Sequence, residues 1–176
     1  MKYVTALFFC VLLGTTSTAQ AQTSNPMSDH LKGQWTNVRD LLTKMADAMP
    51  EDAYRFKPTP EMQDFGQRMA HVLTFNMRGC STAKGEQKNV TVSAAPTKAD
   101  IQAAIKEVNA QCDGVFNALT DADAMSMIAA GRGGQRPKFT VLEGTVLEHS
   151  QEVYGYLCPY LRLKGIVPPS SNRNER

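Results

Sequence analysis

Apolar residues recur at steps of three and four in four separate stretches of the chain, with polar runs between them. The last stretch, 141–171, carries the richest pattern. Leu142, Val146, His149, Val153, Tyr156 and Tyr160 share one helical face at that spacing, and Leu157 and Leu161 widen it into a core-seeking stripe. Thr140 with Glu143 predicts a capping box at its start. Arg162 and Lys164 suit the negative end of the helix dipole, Gly165 can take a left-handed cap, and Pro168-Pro169 forbid continuation. Pro159 predicts a kink within this helix, eased by Gly155 four residues earlier.

The other three stretches are simpler. Ser28 is the expected N-cap of a first helix carrying Leu31, Trp35, Val38, Leu41, Leu42, Met45 and Met49, which Pro50 ends. Thr59-Pro60-Glu61 predicts the start of a second, with Met62, Phe65, Met69, Val72, Leu73 and Asn76 on its main stripe. His71 falls on a weaker flank with Phe75 and is expected to be partly exposed; the helix runs out near Gly79-Cys80-Ser81. Thr97 with Asp100 predicts a capping box for the third, whose stripe is Ile101, Ala104, Ile105, Val108, Cys112, Val115, Phe116 and Leu119. Residues 83–96 read as a loop, 121–130 as room for a short helix, and 131–137 (GRGGQRP) as a mobile basic loop. With no convincing strand pattern and no internal repeat, the expectation is an all-α, antiparallel four-helix bundle.

The N-terminus changes the picture of where this bundle works. Lys2, an unbroken apolar run over 4–13 and Ala19-Gln20-Ala21 make the three parts of a signal peptide, expected to cover 1–21. The run is too short to span a bilayer comfortably. A polar linker at 22–27, the bundle at 28–171 and a polar tail at 172–176 follow, all in an exported protein, periplasmic or secreted. Losing Lys2 lowers the formal charge from +2 to about +1. A near-neutral chain has no basic excess to collect phosphates, so neither nucleic acid nor, after cleavage, a membrane is an expected partner.

Export also permits disulfides. The mature cysteines are Cys80, Cys112 and Cys158, an odd number that leaves a thiol over. Cys80 closes the second helix and Cys112 lies on the inner face of the third, so these two are the candidate pair. Cys112 stands well inside its helix, however, and the two meet only if the 81–96 loop climbs back along the bundle.

Candidate chemistry is sparse. No serine nucleophile elbow, CxxC pair or zincin motif occurs, and the glycine-rich 131–137 segment lacks the preceding strand and following Gly-Lys-Ser/Thr of a phosphate-binding loop. His30 sits beside Asp29 in a first helical turn and reads as a solvated residue.

Several short motifs occur in a distinctive order: Trp35 with Arg39-Asp40-Leu41-Leu42, Ala48-Met49-Pro50, Phe56-Lys57-Pro58-Thr59-Pro60, Phe65-Gly66, Ala70-His71, His149, Tyr154-Gly155 and Tyr160 through Ser171. Together they resemble the DinB/YfiT-like superfamily, particularly exported members, over essentially the whole mature chain. That resemblance implies a four-helix bundle, often a homodimer. It also implies a divalent metal, zinc or nickel, held by one histidine on helix two and an H-x-x-x-H pair on the last helix; some relatives transfer low-molecular-weight thiols.

His71 and His149 match two of those ligands, but Val153 occupies the third position. A catalytic site of this kind needs three protein ligands and an open position, and valine has no lone pair. Glu152 is the nearest replacement, giving a two-histidine, one-carboxylate set. Two readings follow: a DinB-like exported protein with a degenerate metal site and an unassigned small-molecule ligand, or a divalent-metal-dependent thiol transferase or hydrolase using His71, His149 and Glu152.

Overall fold

The computed structural model describes residues 24–131 and 134–172. The signal-peptide expectation, with Cys10, and tail residues 173–176 lie outside the described residues. No described helix is long and apolar enough to cross a membrane.

Four helices dominate: α1 (Pro26–Ala48), α2 (Phe65–Ala83), α3 (Lys98–Ala118) and a last helix made of three consecutive pieces. These are α5 (Lys138–Val141), a π-helical segment (Leu142–Glu148) and α6 (His149–Leu163). A single turn, α4 (Asp121–Ala124), and a small antiparallel hairpin, β1 (Met127–Ala129) and β2 (Gln135–Pro137), bridge α3 to the last helix. The hairpin corrects the expectation of a loop over 131–137. Three residues per strand are too few to show alternation in the sequence; the strands pair antiparallel, Met127 with Pro137 through Ala129 with Gln135.

The expected bundle forms, with its helix directions running up, down, down, up. Trp35 and Arg39 of α1 meet Asp113 near the end of α3, and Asp47 meets Gln102 near its start, so this pair is antiparallel. Asn76 of α2 meets Ser150, and Gln63, two residues before α2 begins, meets Tyr160, so α2 and the last helix are antiparallel too. The 84–97 link instead runs back along α2, bringing Pro96 to Gly66 at its start. α3 therefore runs parallel to α2, and Cys80 and Cys112 meet at equivalent depth as a disulfide with Cα atoms 5.3 Å apart. Cys158 is free.

Two expected caps are corrected. α1 begins at Pro26, two residues before Ser28, and its first N–H groups are served from far away: Asp121 accepts from the backbone N–H of Ser28 (2.8 Å) and of Met27 (3.3 Å). These bonds hold the Asp121 carboxyl below its ordinary pKa. Its contribution to stability is therefore complete above the unfolded value of about 3.9 and disappears as pH falls through the lowered folded value. The melting-temperature gap between wild type and Asp121→Asn should accordingly be open at pH 7 and close in strong acid; an equal gap at both would contradict this role.

Helix α2 begins at Phe65, not Thr59. Asp64 caps it through the N–H of Gln67 (2.8 Å), while the Gln67 side chain accepts from the N–H of Asp64 (3.1 Å). This reciprocal box leaves the Thr59-Pro60 segment as a turn, closed by Met62 N–H to Thr59 C=O. The Thr97–Asp100 box of α3 forms as expected.

The third departure matters most for the site. No Thr140–Glu143 box exists, because the helix has already begun at Lys138; the Thr140 hydroxyl donates to Pro137 C=O. The π segment then changes the phase of the stripe, since each of its turns holds more residues than an α turn. Leu142, Val146, Leu147, Ser150, Val153, Tyr154, Leu157, Tyr160 and Leu161 face the core. Tyr156 is exposed and His149 moves from the expected centre of the stripe to its edge, with a side chain 20% exposed. Helix α6 continues through Pro159, and the π segment lies upstream of that position.

The C-terminal motif has a clear physical role. Gly165, at φ 74°, donates to Arg162 C=O while Ile166 donates to Leu161 C=O, ending α6 in the left-handed manner expected. The chain then folds back, and the Tyr154 hydroxyl accepts from Ser170 N–H (2.9 Å).

Candidate functional site

The structure brings His71 of α2 and His149 of α6 into direct contact, Nε2 to Nε2 at 3.1 Å. On the far side of the His149 ring, Nδ1 meets Glu152 Oε2 at 3.3 Å. Glu152 thus touches the nitrogen directed away from His71. The phenyl ring of Phe75, one turn after His71, packs on both imidazoles, with centroids 4.7 Å from His71 and 4.6 Å from His149.

Buried polar contacts hold the pair in register. Ser150, next to His149, donates its hydroxyl to Asn76 Oδ1 at 2.9 Å, and both side chains are buried. A buried bond of this kind is costly to break, because either partner alone would be left unsatisfied. Val153 lies in the hydrophobic core at 1% exposure, one turn beyond His149 and on the inner side of it.

The electrostatics favour a neutral His71. Partial burial pushes its pKa below the ordinary value, His149, Arg68 and Arg78 push the same way, and Glu152 opposes them. Arg68 lies over the exposed Tyr156 ring, 5.9 Å from its centroid, and Arg78 over Phe75 at 4.2 Å. This cationic frame escaped the sequence reading. Its only trace is the spacing of Arg68, His71, Phe75 and Arg78 along one flank of α2, which is also the ordinary pattern of a solvated helix face.

The donor set can be compared with the needs of a metal. Two imidazole nitrogens on one tetrahedral zinc ion stand about 3.3 Å apart for bonds of about 2.0–2.1 Å, and the observed 3.1 Å is close. The third ligand is the difficulty: Val153 offers no lone pair and Glu152 occupies Nδ1. Among the described residues no group of three His, Cys, Asp or Glu side chains is placed to hold an ion. The residues present therefore do not complete a three-ligand catalytic centre. What they form is a carboxylate–imidazole–imidazole row, Glu152–His149–His71, whose Nε2–Nε2 contact is a hydrogen bond when one nitrogen carries a proton and the other a lone pair.

His71 also opens onto a shallow depression of about 570 Å³, lined by Gln67, Thr74, Phe75 and the 90–94 segment.

The fold is an up-down-down-up helical bundle in which an imidazole pair bridges the second and last helices. Residues 34–152 match the family model of the DinB superfamily, and the chain belongs to that superfamily. A DinB-like protein (YjoA) of Bacillus subtilis has a similar fold at TM-score 0.62 and 17% identity, covering 77% of this chain and 92% of that one. A DinB-like protein of Bacillus cereus does so at TM-score 0.66 and 17% identity, covering 80% and 95%. No curated protein matches the chain.

Proposed function

We propose that this is an exported DinB-superfamily protein in which the family metal site has contracted to the His71–His149 pair, braced by Glu152, and which holds zinc or nickel weakly or not at all. The observation that carries the reading is the direct 3.1 Å contact between the two Nε2 atoms, with Glu152 engaged on the opposite nitrogen of His149. If His149 donates its Nδ1 proton to Glu152, its Nε2 lone pair accepts the Nε2 proton of His71. The pair is then satisfied without an ion. Export is supported by the signal-like N-terminus and by the Cys80–Cys112 disulfide, which suits an oxidising compartment.

The alternative is a divalent-metal-dependent thiol transferase or hydrolase using His71, His149 and Glu152. The spacing of the two Nε2 atoms favours it; Glu152 would have to leave Nδ1 and swing to the Nε2 side.

Metal content separates the two. Mature wild-type protein, dialysed mildly and analysed by mass spectrometry, is expected to hold far less than one equivalent of zinc or nickel. Val153→His restores a third imidazole and should tighten zinc binding by about tenfold or more, since a ligand worth only about 1.4 kcal/mol does that much. Retention of one full equivalent by wild type would overturn the contracted-site reading, and loss of that metal in Glu152→Ala would then establish the carboxylate as the third ligand.

A further inference from the structure

Two turns along α2 from His71, Arg78 enters a setting that the histidine pair does not explain. With Arg136 of β2 it lines a cavity of about 530 Å³ between α2, the hairpin and the π segment; Thr82, Gly131 and Thr145 also form its wall. Among the described residues neither arginine is in an ion pair. Arg78 lies over the Phe75 ring, 4.2 Å from its centroid, and its N–H groups donate to no acceptor among the described residues.

The hydroxyls are equally uncommitted. Thr36, Thr43 and Thr74 turn back to a carbonyl of their own helix, whereas the Thr82 and Thr145 hydroxyls donate to no acceptor among the described residues. Glu148 reaches the wall at Gly144, with Oε2 3.8 Å from where a Cβ there would stand, and it pairs with neither arginine. A neighbouring cavity of about 480 Å³ shares Arg78, Thr82 and Gly131, but its lysine, Lys88, is neutralised by Glu86 at 3.0 Å.

We propose that the Arg78–Arg136 cavity binds a tetrahedral oxyanion, a phosphate group carried by a small molecule. Two guanidinium groups supply charge and forked donors, and the Thr82 and Thr145 hydroxyls add neutral ones. The donors come from three different elements, which suits a ligand presenting oxygens in several directions rather than a planar carboxylate. A nucleic acid backbone does not fit this setting, because the chain carries a formal charge of only +2 and lacks the basic excess such a partner needs.

Amide resonances of the mature, disulfide-bonded protein, followed by NMR during titration with inorganic phosphate at constant ionic strength, test the site. Saturable shifts are expected at residues lining the cavity, with acetate much weaker. Arg136→Gln and Arg78→Gln should each weaken phosphate binding by about tenfold, as for loss of a charged hydrogen-bond partner. Glu148→Gln should tighten binding, and Arg162→Gln, on the exposed end of α6, should leave it unchanged. Arg136 is an exposed hairpin side chain, so its variant keeps the fold and isolates the effect. Shifts that never saturate, acetate as effective as phosphate, or Arg136→Gln binding like wild type would overturn the proposal.

Discussion

Replacing Cys80 and Cys112 together by alanine is expected to lower the stability of this protein by about 4 kcal/mol. The bond joins residues 32 apart in sequence, and the chain-entropy model assigns about 3.7 kcal/mol to a closed loop of that size. Both cysteines are fully buried, so the lost sulfur atoms leave unfilled core volume as well. For a domain of this length about 2–4 °C of melting temperature follows each kcal/mol, which predicts a fall of roughly 8–16 °C. The effect should reach the site, because the disulfide clamps the half of α2 that follows His71 onto α3. Thermal unfolding of the double variant and of wild type measures it, and mapping of unreduced protein should find Cys158 alone open to alkylation. A double variant melting within about 2 °C of wild type would mean that the clamp contributes no stability.

Gly79→Val is expected to cost about 3 kcal/mol, at the upper end of overpacking effects. A Cβ on Gly79 would stand 2.6 Å from Val146 Cγ2 and 3.1 Å from Thr145 Cγ2, both in the π segment. Val146 is fully buried and branched at Cβ, so it has no flexible end to swing aside. Even Gly79→Ala should destabilise, although alanine is favoured over glycine within a helix by roughly 1 kcal/mol, because the contact is too short for any real Cβ. The displaced element is the one that leads directly into His149, so the His71–His149 contact should open with it. Val146→Ala in the Gly79→Ala background should restore part of the loss, a coupling readable from a double-mutant cycle. A Gly79→Ala protein as stable as wild type would show that α2 and the π segment do not need this approach.

The four amphipathic stretches and their inner residues could be read from sequence alone, because burial in a bundle demands apolar residues at helical spacing whatever surrounds them. All eight stripe residues expected on α3 are buried, and the Thr97–Asp100 box forms where its two residues stand. These are local features, decided by residues within one or two turns of each other. The superfamily was legible for a related reason: several of the motifs that carry the resemblance mark helix ends and turns, such as the Gly165 cap and the Ser170 bond to Tyr154.

Tertiary structure alone decided what depends on two segments meeting. Asp121 caps α1 from 93 residues away, which no local pattern can announce. The direction of α3, and with it the Cys80–Cys112 bond, followed from the path of the 84–97 link, a stretch without periodicity of its own. The π segment shifted His149 from the centre of the stripe to its edge, because a phase counted at 3.6 residues per turn fails where the turns are wider. Only then did His71 and His149 meet at 3.1 Å while Val153 turned into the core. The sequence determined which residues were available for a site; the packing of the last helix against α2 decided which nitrogen faces which, and that sets the chemistry open to them.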